Sequence, residues 1–289
     1  MLLANDWKDY EILDASNGEK LERWKDVVLL RPDPQIIWDN GNLKDKYRNI
    51  DAVYYRSNKG GGYWENLKKP PKVWKVKYKD LTFMIKQMGF KHTGLFPEQA
   101  VNWDFIMDKI TKSNRKIKLL NLFGYTGAAS VAALKAGASV VHVDSSRGMV
   151  DWCKENVKAS NLEDKPIRYL VDDVLKFVQR EIRRGNKYDA IIMDPPSYGR
   201  GANGEIWDIE KDLYRLVELC TSLLSENPLF FIINTYTTGL SKEVFTNILK
   251  MTVGKKYDGK IYSEEIGLPI KNSGLVLPCG ICSRYENNE

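Results

Sequence analysis

The stretch Ile117-Lys118-Leu119-Leu120-Asn121-Leu122-Phe123-Gly124-Tyr125-Thr126-Gly127-Ala128-Ala129 runs from an apolar segment through a glycine-containing turn into small residues. Residues 117–123 have the length and apolarity of a strand buried on both faces. Residues 127–135 read as a helix, closed by Gly137 where a C′ glycine is expected. A second apolar run, 138–144, follows at once. Outward from this β-α-β unit the rhythm continues, with a helix at 146–160, a strand at 167–172, a helix at 174–184 and a strand at 188–193. Leu213, Leu216, Val217, Cys220, Leu223 and Leu224 recur at helical spacing with one apolar face. Pro228 breaks the chain before an apolar strand at 229–235, and a helix at 242–250 and strands at 261–266 and 275–284 close it. Seven strands alternating with helices predict a doubly wound α/β sheet whose ligand crevice lies beyond the carboxyl ends of the strands.

Upstream of about residue 100 the composition changes. Five of the eight tryptophans (Trp7, Trp24, Trp38, Trp64, Trp74) fall among short apolar runs separated by turn signals such as Asp39-Asn40-Gly41-Asn42. That spacing predicts a small β-rich domain of short antiparallel strands over 1–99, preceding an α/β domain over 100–289. Residues 73–79 alternate strictly, setting Lys75, Lys77 and Lys79 on one face and Trp74, Val76 and Tyr78 on the other. The 289 residues carry a net charge of +6, and it is localised. Residues 68–91 hold eight lysines and one acid, Asp80, for +7, which leaves the rest of the chain at −1. A neutral body with one basic segment suits a localised anion-binding surface, or a solvated face that protects a strand edge. With 43% hydrophobic residues and no apolar run near 18, the composition points to a soluble, cytoplasmic globular protein without membrane partners. The first six residues lack the basic and apolar regions of a secretory signal.

The strand ends carry the chemistry. In the turn after the first strand only Gly124 and Gly127 are present, three apart, which is looser than the Gly-x-Gly-x-x-Gly cradle of a dinucleotide pyrophosphate. Small residues there let a ligand approach backbone N–H groups at a helix N-terminus. Asp144 ends the second strand, twenty residues after Gly124, where a carboxylate can accept both hydroxyls of a ribose or cap the next helix, as Ser145 or Ser146 could instead. Asp172 and Asp173 end the third strand, placed to meet an adenine amine or to cap a helix. Asp194-Pro195-Pro196-Ser197-Tyr198 ends the fourth. Its two prolines fix an extended exit and remove two donors, leaving carbonyls beside a carboxylate to hold an amine or a planar base amino group. The Tyr198 ring is available to stack on a base.

These residues resemble the motifs of class I S-adenosylmethionine-dependent methyltransferases. More narrowly they are similar to the bacterial group that methylates 23S ribosomal RNA at cytosine C5 or guanine N7. The likeness rests on Asn121, Phe123, Tyr125, Thr126, Gly127, Asp144, Asp172, Asp173, Val174, Asp194, Pro195, Pro196 and Tyr198, with Thr93-Gly94 and Gln99 as a lead-in, and covers residues 72–286. It implies a Rossmann-like seven-stranded sheet and S-adenosylmethionine as cofactor. Phe123, Gly124, Tyr125, Thr126 and Gly127 would hold the methionine part, with Asn121 and Gln99 contributing. Asp144 and Ser145 would hold the ribose, and Asp172 or Asp173 the adenine. Asp194 and Pro195 would orient the target or the cofactor's amino group, and Tyr198 would stack on the target base. Independently of the resemblance, the alternating basic face of Lys75, Lys77 and Lys79 within the +7 segment is placed to hold RNA phosphates.

One position departs from the cytosine-C5 members: Thr237 stands where they carry a nucleophilic cysteine. A threonine hydroxyl is a poor substitute, which leaves a nitrogen or oxygen nucleophile in the substrate. Cys279-Gly280-Ile281-Cys282 reads as small strand residues, since Cys153, Cys220, His92 and His142 show no metal spacing; no metal is expected. His142 reads as a core residue. The expected function is methylation of a base nitrogen in ribosomal RNA. A methyltransferase of a protein or small-molecule amine, and a catalytically silent cofactor-binding RNA-interaction protein, are the alternatives.

Overall fold

The computed structural model describes residues 1–57, 61–200, 204–236 and 239–288. The chain divides into two compact units, one formed by Leu2–Val101 with Ile266–Cys279, the other by Met1, Asn102–Glu265 and Gly280–Glu289. The first unit contains β1 (Leu2–Leu3), β2 (Tyr10–Ser16), β3 (Glu19–Trp24), β4 (Val27–Pro32), helix α1 (Leu43–Lys46), β5 (Ala52–Arg56), β6 (Gly62–Asn66), β7 (Val73–Tyr78) and β8 (Leu81–Lys86). Strands β2 to β6 form a five-stranded sheet in sequential order, and β7 and β8 pair separately. The expected antiparallel pairing holds except between β4 and β5, which run parallel. A parallel pair needs a crossover, and the segment containing α1 supplies it. Leu21, Leu30, Leu43, Ile50 and Val53 form this unit's apolar cluster. Beside it, buried Glu22 accepts from Arg31 Nε at 2.5 Å and from Tyr10 Oη at 2.7 Å. Despite burial, the Arg31 and Lys20 charges hold the Glu22 carboxyl at a pKa of about 2.

The second unit follows through α2 (Ala100–Ser113), β9 (Lys118–Leu122), α3 (Ala128–Lys135), β10 (Ser139–Asp144), α4 (Arg147–Ala159), β11 (Ile167–Val171), α5 (Val174–Arg183) and β12 (Ala190–Met193). A short hairpin, β13 (Tyr198–Arg200) and β14 (Ile206–Asp208), leads to α6 (Ile209–Thr221), β15 (Phe230–Thr235), α7 (Lys242–Met251), β16 (Lys260–Pro269) and β17 (Val276–Glu286). The main sheet has the order β16-β17-β15-β12-β9-β10-β11, with the two-residue β1 added beside β16. The seven strands read from the sequence therefore make one sheet. β9 to β12 and β15 are mutually parallel, whereas β17 runs antiparallel to β15. On one face Leu120, Leu122, Val141, Val143, Ile191, Met193, Phe231 and Ile233 pack on apolar residues of α5, α6 and α7, the period-2 pattern of covered strands. Strand order reverses at β9, which lies between β10 and β12, so the carboxyl ends of β9, β10 and β12 surround the switch-point crevice.

Candidate active site

The turn between β9 and α3 is held in an uncommon conformation. Phe123 (φ 53°) and Tyr125 (φ 51°) are non-glycine residues in the left-handed region, and Gly127 (φ 81°) joins them there as the N-cap of α3. Such strain persists only where the surroundings over-determine it. Here the Gly124 N–H donates to the Val143 carbonyl at 3.0 Å, and the Tyr125 N–H donates to Asp144 Oδ2 at 2.9 Å. The Thr126 carbonyl accepts from Asn156 Nδ2 at 2.8 Å. Both glycines are demanded by packing. A Cβ on Gly124 would lie 2.3 Å from the His142 ring, and one on Gly127 would lie 2.1 Å from Cys153 Sγ. Beneath the turn Asn121 Nδ2 donates to Ser130 Oγ at 2.9 Å, and Ser130 Oγ meets His142 Nδ1 at 3.0 Å. Asn121 is therefore a buried support of the turn. Burial pushes the His142 pKa down to about 4, with only the neighbouring Tyr125 carbonyl favouring the charged form. His142 is a core residue of β10, as expected.

Asp144 sits at the end of β10, half-buried, and its Oδ1 accepts from the Ser146 N–H at 2.8 Å. Burial raises its pKa, opposed by the two backbone donors. Each carboxylate oxygen takes one backbone N–H, so lone pairs are left over for two hydroxyl donors. Ser145 is exposed beside it. Ser146 occupies the N-cap of α4 without a side-chain capping bond. Asp173 caps α5 by accepting from the Lys176 N–H at 2.9 Å, and the Asp172 carboxylate pairs with Arg180. The Asp172 N–H is bound to the Asp144 carbonyl at 3.0 Å, which ties the two strand ends together.

At the end of β12 Asp194 is half-buried, Pro195 is buried and Tyr198 is 54% exposed. The Pro196 carbonyl accepts from Trp207 Nε1 at 2.7 Å, so one of its two acceptor positions is already filled within the protein. Sequence reading passed over Trp207, and also over Asn102, whose Nδ2 donates to Asn234 Oδ1 at the end of β15 at 2.9 Å. Asn102 Oδ1 in turn accepts from Arg284 Nη2 at 2.7 Å and from Cys282 Sγ at 3.0 Å. The signal for Trp207 was Asp208, which caps α6 through the Glu210 N–H and marks a helix start earlier than the apolar face suggests. Thr237 lies outside the described residues.

In the N-terminal unit Gln99 is buried at the end of a 3-10 turn, Pro97–Gln99. Lys75 and Lys77 lie on the exposed face of β7. Lys79 does not: β7 ends at Tyr78, and Lys79 is in the turn to β8 with φ 49°, its ammonium 3.3 Å from Asp6. The alternation stops where the hairpin must turn. Among the described residues no three His, Cys, Asp or Glu side chains are grouped to hold a metal, and no helix is long and apolar enough to cross a membrane.

A parallel sheet with a switch point between β9 and β12, a glycine turn opening α3 and an acid ending β10 define the nucleoside-cofactor class of α/β fold. Within it, the chain belongs to the S-adenosylmethionine-dependent methyltransferase family, whose model matches residues 46–241. A crystal structure of a SAM-dependent methyltransferase from Agrobacterium tumefaciens superposes with a TM-score of 0.93 at 34% identity, covering 99% of this chain and 92% of that one. A ribosomal RNA large subunit methyltransferase K/L from Syntrophotalea carbinolica is 29% identical over 183 residues, 63% of this chain and 25% of the relative. One of the same name from Pseudoalteromonas atlantica is 32% identical over 156 residues, 53% of this chain and 21% of the relative. The chain thus spans about a quarter of the length of these curated relatives. The family's cofactor is S-adenosylmethionine.

Proposed function

We propose that this protein transfers a methyl group from S-adenosylmethionine to a base nitrogen in RNA, with ribosomal RNA as the substrate. The observation that carries the reading is the half-buried Asp194 followed by an exposed Tyr198 at the end of β12, the strand beside the cofactor turn of β9. A carboxylate can accept from a base amino or imino N–H, and an exposed ring can stack on the same base. Supporting it are the exposed Lys75 and Lys77 of the N-terminal unit and relatives named for ribosomal RNA methylation. In this reading residues 1–99 form an RNA-contacting domain, with Lys75 and Lys77 toward phosphate, and residues 100–289 the methyltransferase domain.

The donor set fits the cofactor, since Asp144 retains acceptor capacity for two ribose hydroxyls. Phe123, Gly124, Tyr125, Thr126 and Gly127 would line its methionine part, with Asn121 beneath them. Asp144 with Ser145 would hold the ribose, and Asp172 or Asp173 the adenine amine. When bound, the cofactor supplies an already activated methyl on a sulfonium. The protein's work is therefore alignment: Asp194 and the Pro195 carbonyl orient the acceptor nitrogen, Tyr198 fixes the plane of the base, and little acid–base chemistry is required. The test is methyl transfer from labelled S-adenosylmethionine to RNA from a strain lacking this protein, followed by nucleoside mass spectrometry. A labelled N-methyl base is expected. Label appearing in protein or a small amine, with none in RNA, refutes the RNA reading.

A further inference from the structure

The β13–β14 hairpin interrupts the passage from β12 to α6, and its two faces differ. Tyr198 pairs with Asp208 and Arg200 with Ile206 on one face; Gly199 pairs with Trp207 on the other. The first face is open, with Tyr198 54% and Ile206 61% exposed and Arg200 exposed beside them. The second is closed. Trp207 is 9% exposed, its Nε1 donates to the Pro196 carbonyl at 2.7 Å, and its ring lies 5.1 Å from that of Phe123 at an interplanar angle of 57°. A Cβ on Gly199 would meet Pro196 Cγ at 3.5 Å and Trp207 Cβ at 3.7 Å, ordinary van der Waals distances, so the hairpin lies against the proline exit. The Ser197 carbonyl is also taken, by the Ile209 N–H at 3.1 Å.

One indole thus touches both halves of the site: the Asp194-Pro195-Pro196 exit through its N–H, and the cofactor turn through Phe123, one of the turn's two left-handed non-glycine residues. Building on the RNA-methylation reading, we propose that Trp207 is a positioning residue that locks the target-holding exit to the cofactor turn. In doing so it presents the outer face of the hairpin, Tyr198 with Arg200, as a grip on the target base and the phosphate beside it. The chemistry of that face matches such a ligand: an aromatic plane for stacking, and next to it a guanidinium whose fork suits phosphate oxygens.

The test uses Trp207→Phe, which keeps an aromatic ring against Phe123 and removes only the donor to Pro196. Affinity for S-adenosylhomocysteine, measured by calorimetry, should stay within about threefold of wild type. The kcat for RNA should fall about tenfold, the effect of losing the one part-buried hydrogen bond that fixes the exit. Trp207→His, which retains a ring N–H, should recover part of that loss. Combining Trp207→Phe with Tyr198→Ala should cost no more than Tyr198→Ala alone, because both act through the same hairpin. Independently of any activity, hydrogen–deuterium exchange of the cofactor-free protein should rise in Trp207→Phe over residues 194–200 and 123–127. If Trp207→Phe is too unstable to assay, Phe123→Leu cuts the same link from the other side and should give the same exchange pattern. Unchanged exchange, wild-type kcat or additive losses would each overturn the proposal. A wild-type protein that binds S-adenosylhomocysteine but methylates no RNA removes the underlying reading, while the exchange measurement still decides the link.

Discussion

Replacing Gly127 by alanine separates two reasons for a glycine in the cofactor turn. If the residue is small so that a ligand can approach, the substitution lowers cofactor affinity and leaves the empty protein as stable as before. The geometry gives a different answer. Gly127 has φ 81°, and the added Cβ would lie 2.1 Å from Cys153 Sγ and 2.9 Å from Cys153 Cβ. A left-handed backbone costs an L-residue about 1–2 kcal/mol. Overpacking a filled site adds about 1–3 kcal/mol. Together these give about 2–5 kcal/mol, and at about 2–4 °C per kcal/mol for a chain somewhat smaller than this one, a fall in Tm of roughly 4–20 °C is expected without ligand. Thermal melts of the cofactor-free protein measure it. Adding Cys153→Ala removes the 2.1 Å contact but neither the 2.9 Å contact nor the backbone strain, so the double variant should regain about 1 kcal/mol and no more than half the loss. A Gly127→Ala protein melting within about 2 °C of wild type, with only cofactor affinity reduced, would refute the packing argument.

Asp144→Ala removes the acceptor of the Tyr125 and Ser146 N–H groups together with the proposed ribose contact. At about 1.5–3 kcal/mol per bond to a charged group, losing even one ribose contact should lower S-adenosylhomocysteine affinity at least about tenfold by calorimetry; unchanged affinity refutes the ribose assignment. The His142 pKa is about 4 in the folded protein against an ordinary 6.5, so below pH 6.5 the unfolded chain binds the extra proton. Stability should therefore drop as pH falls from about 6.5 to about 4, with a slope approaching 1.4 kcal/mol per pH unit from this residue. His92, held at about 3 by burial and by the Arg31 and Lys91 charges, acts in the same direction. Urea denaturation across pH measures the slope, and His142→Gln should flatten it by about one proton. Lys75→Gln with Lys77→Gln should reduce the salt dependence of RNA binding by about one to two phosphate contacts in a filter-binding titration, and an unchanged slope would return both lysines to a merely solvated face.

Much of this protein was legible in one dimension because the relevant physics is local. A strand covered on both faces must be apolar throughout, so β9, β10, β12 and β15 were recognisable, and their alternation with helices dictates a doubly wound sheet. The family could be read because the glycine turn, Asp144 and Asp194 each follow a strand that the same pattern locates. Tertiary structure decided what those residues touch. Gly124 and Gly127 are glycines because His142 and Cys153, on another strand and helix, fill the space a Cβ would need. Lys79 leaves the basic face because Tyr78 is the last residue of its strand before the turn. The Pro196 carbonyl is occupied by Trp207, eleven residues away, on a hairpin too short to leave a periodic signature. Sequence spacing carries information only along the chain, whereas steric exclusion and hydrogen-bond pairing between separate elements exist only once the sheet and its helices have closed around them.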